Sequence, residues 1–122
     1  MDKKVLFFGF TDSEMKTLRA VLSPLGAELD NILQEEWDKS IGALLGLPIG
    51  SSGRTSGIDG KMLVMSGFDQ DSMSLLLFQM KNAGFGTDVL KAVATPANIS
   101  WTPGQLYREL SAEHAHMNRS AK

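Results

Sequence analysis

The chain has 122 residues, 43% hydrophobic and 21% charged, which is ordinary globular usage for one domain. Twelve Lys and Arg against fourteen Asp and Glu give a net charge of −2, so the basic footprint of a nucleic-acid or anionic-membrane binder is missing. The absence of cysteine excludes disulfide scaffolds, zinc–thiolate sites, iron–sulfur clusters and thiol catalysis.

The elements run as follows. Val5–Phe8 is a short continuous apolar run, as expected of a strand buried on both faces. It is too short for a secretory signal, which needs roughly seven or more apolar residues, and a cytoplasmic protein is expected. Met15, Leu18, Val21, Leu22 and Leu25 then follow a helical period, and Pro24 places the helix end near Ser23. Thr11 as N-cap and Glu14 at N3 make a capping box, with Phe10 and Met15 as the hydrophobic staple. A second strand is expected within Ala27–Leu33, a short helix over Asp38–Leu45, and a Gly/Ser-rich linker over 48–60. The linker's Gly53-Arg54-Thr55 imitates the end of a phosphate loop but lacks its first glycine and its lysine.

The second half repeats this order at an offset of 58 residues. Val5-Leu6-Phe7-Phe8-Gly9-Phe10 lines up with Leu63-Val64-Met65-Ser66-Gly67-Phe68, Met15 with Met73, Leu18 with Leu76, and Gly26 with Gly84. Met62–Met65 is the expected strand, and Asp69 caps a helix carrying Met73, Leu76, Leu77 and Met80, with Leu75 and Phe78 widening its apolar face. Gly26 and Gly84 stand where a left-handed residue ends each helix. Leu90–Thr95 is the fourth strand. Thr102, Pro103 and Gln105 then start a last helix reaching about His114, with a frayed tail over 118–122. The expected organisation is two βαβα halves, 1–47 and 61–117, in one α/β domain. Each strand leads into a helix, so its four-stranded sheet is expected to be mainly parallel, with an interleaved ferredoxin-like mixed sheet as the alternative.

Helix capping leaves Thr95-Pro96-Ala97-Asn98 unexplained. These polar groups follow a strand, where ligands bind in open α/β sheets. Thr95 and Asn98 are candidate hydrogen-bonding groups and Trp101 an apolar wall, with Gly9 and Gly67 at the ends of neighbouring strands. The competing reading is that Asn98 only closes its own turn. Glu109, Glu113 and His116 form one stripe of the last helix, read as a solvated face and not as a metal site. No catalytic constellation, cofactor motif or phosphoacceptor cluster is present.

The segment Lys91-Ala92-Val93-Ala94-Thr95-Pro96-Ala97-Asn98-Ile99-Ser100-Trp101-Thr102, followed by Leu106–His114, resembles a small bacterial family of domains of unknown function carrying a K-A-[VI]-x-T-P-x-N-x-x-W motif. The resemblance covers Lys61 to His116 and implies no activity. Two function classes follow. The first is a non-catalytic module that binds a protein partner or itself, suited by seven methionines and by the two edges of a four-stranded sheet. The second is a small-molecule binder or enzyme at Thr95, Asn98 and Trp101. Nucleic acid and membrane are not expected as partners.

Overall fold

The computed structural model describes residues 3–50, 58, 60–85 and 89–120, of which 114–120 are described by backbone alone. Its elements are β1 (Lys4–Phe8), α1 (Asp12–Leu22), β2 (Glu28–Ile32), α2 (Ile41–Leu44), β3 (Lys61–Ser66), α3 (Gln70–Asn82), β4 (Val89–Val93) and α4 (Pro103–Ser120). Single 3-10 turns follow α1 and β2, at Ser23–Leu25 and Gln34–Glu36.

The sheet order is β2-β1-β3-β4. β1 pairs parallel with β2, β3 pairs parallel with β4, and the central β1–β3 pair is antiparallel. The sheet is therefore mostly parallel but mixed. Each half remains contiguous in it, unlike the interleaved ferredoxin-like order. α1 and α3 are the two crossovers, and they pack against each other on one face.

Both faces of the central strands are covered, which is why β1 and β3 are unbroken apolar runs. Val5, Phe7, Leu63 and Met65 point toward α1 and α3, where they meet Met15, Leu18, Leu76 and Met80. Leu6, Phe8, Met62 and Val64 point the other way, toward Ile41, Leu44 and Leu106. Fully burying a side chain of this size contributes about 1.5–3 kcal/mol, so the centre of the sheet is the main source of stability. Phe10 closes one end of the first cluster, edge-on to Phe7 at 5.2 Å.

Local chemistry fixes the helix starts. The Thr11 hydroxyl accepts from Glu14 N–H at 3.1 Å, and the Glu14 carboxylate accepts from Thr11 N–H at 2.9 Å. Asp69 accepts from Ser72 N–H at 2.7 Å, and the Ser72 hydroxyl completes the second box. At α4 Thr102 accepts from Gln105 N–H at 3.3 Å, while Gln105 Oε1 is buried without a hydrogen-bond partner, so the reciprocal bond of a capping box does not form. Gly26 and Gly84 take φ of +67° and +93° behind their helices.

Three boundaries differ from the sequence expectation. The helix expected over Asp38–Leu45 is four residues long, because Ser40 caps it and Gly46 ends it at φ +89°. The fourth strand stops at Val93, where the following turn takes over its carbonyl. α4 continues past His114 to Ser120. Residues 51–57 and 59 of the linker, and with them Gly53-Arg54-Thr55, lie outside the described residues, as do 121–122 of the tail.

Candidate functional site

Just past β4 the chain makes a turn organised by Asn98. Its Oδ1 accepts from Thr95 N–H at 2.9 Å, and its Nδ2 donates to the Val93 carbonyl at 3.1 Å. The backbone adds Asn98 N–H and Ile99 N–H to the Thr95 carbonyl, both at 3.1 Å, and Trp101 N–H to the Asn98 carbonyl at 3.0 Å. Asn98 is 9% exposed. Its amide closes the turn at both ends, the self-bonding arrangement typical of Asx residues.

The turn is a docking point for the first half of the chain. Gly42 N–H donates to the Ile99 carbonyl at 2.7 Å, and Ile41 N–H donates to the Trp101 carbonyl at 2.9 Å. Ser40, buried, donates its hydroxyl to the Ile49 carbonyl at 2.7 Å and accepts from Ala43 N–H at 2.9 Å. The segment around α2 is thereby fastened to the strand-to-helix turn of the second half.

Two cavities meet at Thr95. One, of about 440 Å³, lies between the 45–47 loop and the sheet end, with Lys4, Glu28, Leu45, Ser66, Thr95 and Ile99 in its wall. Lys4 Nζ is 3.1 Å from Asp30 Oδ2 and 4.0 Å from Glu28 Oε2, so its charge is met by carboxylates of β2. The other, of about 380 Å³, has Trp101 and Leu106 on one side, Thr95 and Asn98 on another, and Glu109 and Glu113 of α4 at its rim. Both are of the size that holds a small organic molecule.

The antiparallel centre of the sheet decides which predicted residues come together. Thr95, Asn98 and Trp101 lie together. Gly67 directly follows Ser66, which lines the larger cavity beside Thr95. Gly9 lies at the opposite end of the sheet, against Gly60, because β1 runs against β3. The sequence reading missed Lys4, Glu28 and Ser66. Their meeting depends on strand pairing, with Lys4 opposite Ser66 on one side and Glu28 on the other.

Among the described residues, the two carboxyls whose titration is displaced belong to helix-capping boxes. Burial pushes the Glu14 carboxyl up, but hydrogen bonds from Thr11 and Lys61, with the Lys61 ammonium 3.2 Å away, outweigh it and hold it below the ordinary carboxylate range. Asp69 is held low by the Ser72 hydroxyl and backbone N–H. Among the described residues no three His, Cys, Asp or Glu side chains gather to hold a metal ion, and the side chain of His116 lies outside them. No helix among the described residues is long and apolar enough to cross a membrane.

No curated protein and no solved structure matches the chain. Residues 61–117, which hold β3, α3, β4, the Asn98 turn and most of α4, match the family model of a domain of unknown function, DUF3783.

Proposed function

We infer that the protein is a non-catalytic interaction module that associates with a second copy of itself. The observation that carries this reading is on α3. Leu75 and Phe78 are 46% and 57% exposed, three residues apart on one helix face. A helix of a small domain normally turns polar residues outward, and two large apolar side chains together on its outer face call for a second covering surface. The sheet adds two outer strands, β2 and β4, each paired with one strand only among the described residues. In this reading the two strand–helix–strand units are copies of one ancestral unit, supported by the 58-residue offset and by the positive φ shared by Gly9 and Gly67. Sedimentation velocity over a range from about 5 µM to about 0.5 mM tests it by mass action. A concentration-dependent rise toward twice the monomer mass is expected, and a monomer throughout overturns it.

The larger cavity favours a second reading, a small-molecule binder centred on Lys4, Ser66 and Thr95. Here Asn98 is a structural residue that closes the turn carrying Thr95. Thermal melting against a library of metabolites tests this: a ligand at ~100 times its Kd adds about 2.7 kcal/mol, and Thr95→Val should abolish the shift. If no compound raises the melting temperature, this second reading falls.

A further inference from the structure

We propose that the outer face of α3 is the self-association surface, and that two copies meet there with their α3 helices antiparallel about a two-fold axis. This rests on the self-association reading above and specifies its interface.

Asp71, Ser74, Leu75, Phe78 and Lys81 recur at helical spacing and are all exposed. The first half supplies an internal control. At the same offset of 58, the exposed positions of α1 carry Ser13, Lys16, Thr17 and Ala20. The scaffold therefore does not require an apolar side chain at either place. Leu75 and Phe78 stand where Thr17 and Ala20 serve the equivalent helix.

The stripe is self-complementary in one orientation. Asp71 and Lys81 are equidistant from Leu76, and so are Ser74 and Phe78. With the two-fold axis crossing at the level of Leu76, each Phe78 falls opposite the small Ser74 of the other copy and beside its Leu75. Each Asp71 falls opposite the other copy's Lys81. A parallel arrangement would instead set Asp71 against Asp71 and Lys81 against Lys81. Neither residue forms an ion pair within its own chain among the described residues. Such a contact uses the same patch twice and closes at the dimer. The β2 edge is a poorer candidate, since Glu28 and Asp30 would bring like charges together across a β2–β2 pair.

Sedimentation velocity of the full chain and four variants decides the matter. Phe78→Lys is expected to weaken dimerisation at least ~10-fold, with an unchanged melting temperature at concentrations where the parent is monomeric, because the side chain is exposed. Asp71→Lys and Lys81→Asp should each weaken it by about 3- to 10-fold, and the double variant D71K/K81D should recover to within about 3-fold of the parent. Recovery in the double variant would not follow from loss of folding or general charge effects. The charge-swap set also decides the question if Phe78→Lys fails to fold. A dimer that none of these variants shifts lies on another surface, such as the β4 edge. In that case the proposal falls while the self-association reading stands. A parent chain that stays monomeric overturns both.

Discussion

A Cβ placed on Gly9 would lie 2.1 Å from the carbonyl oxygen of Gly60. Gly9 also has φ of +83°, a conformation costing an ordinary residue roughly 1–2 kcal/mol. Strain and backbone contact act together here, at the exit of β1, whose Val5–Phe8 run is completely buried. Gly9→Ala is expected to lose about 3 kcal/mol or more. Gly26→Ala is the control: its φ is +67°, but its Cβ meets nothing within 4 Å, so about 1 kcal/mol is expected. Urea denaturation of both variants measures the gap. Equal losses would show that the approach to Gly60 is not the controlling feature.

Asn98 offers a direct choice between turn closure and ligand contact. Its amide supplies one acceptor and one donor to a half-buried backbone, to Thr95 N–H and from Nδ2 to the Val93 carbonyl. Asn98→Ala leaves both backbone groups unpaired, at a cost of about 2–3 kcal/mol, or roughly 10 °C in melting temperature. Asn98→Asp keeps the acceptor, loses the donor and sets a charge at a 9% exposed position, so it should also destabilise. An unchanged melting temperature in Asn98→Ala would move the residue from the fold to a binding role.

The Glu14 carboxyl links helix capping to pH. Its folded value lies below its ordinary one, so the unfolded chain binds the proton first as pH falls. Its stabilisation is thus complete above the ordinary glutamate range and is lost as pH drops through the folded value. Asp69 has the same sign. Glu14→Gln retains an acceptor for Thr11 N–H while removing the titration, so its urea midpoint should fall less steeply than the parent's between about pH 5 and pH 3. A parent and variant with parallel profiles would show that the Lys61 contact does not select the charged form.

The features legible in the sequence are those that depend on a few neighbouring residues. The Thr11–Glu14 box, the Asp69 cap and the left-handed Gly26 and Gly84 follow from local hydrogen bonding and sterics. The double-sided burial of Val5–Phe8 follows from its lack of alternation. Strand direction was not legible. Strand–helix–strand units specify parallel pairs inside each half, but nothing local states how β1 meets β3. That one antiparallel pairing separates Gly9 from Thr95 and brings Lys4 to Ser66. The docking of α2 on the 99–101 turn was hidden for the same reason, since its hydrogen bonds join residues far apart in the chain.

Gly42 carries that docking. Its N–H reaches the Ile99 carbonyl at 2.7 Å, and a Cβ there would lie 3.0 Å from that oxygen and 2.9 Å from Ile49 Cδ1. Ile49 Cδ1 can turn away, but Ile49 Cβ, 3.1 Å from the added Cβ, moves only with its backbone, and the carbonyl is backbone held in the Asn98 turn. Gly42→Ala must therefore push α2 outward or distort the turn, at a cost of about 1–3 kcal/mol. The larger cavity lies along this seam, between Leu45 and Ile99. Native-state hydrogen exchange gives the local readout: the amides of Ile41 and Gly42 should lose protection in the variant while those of β1 and β3 fall only by the global change. Gly46→Ala, with φ of +89° but open space around its Cβ, should lower stability without this selective loss. Retained protection at Ile41 and Gly42 in Gly42→Ala would mean that the contact with Ile99 is not what fastens the two halves together.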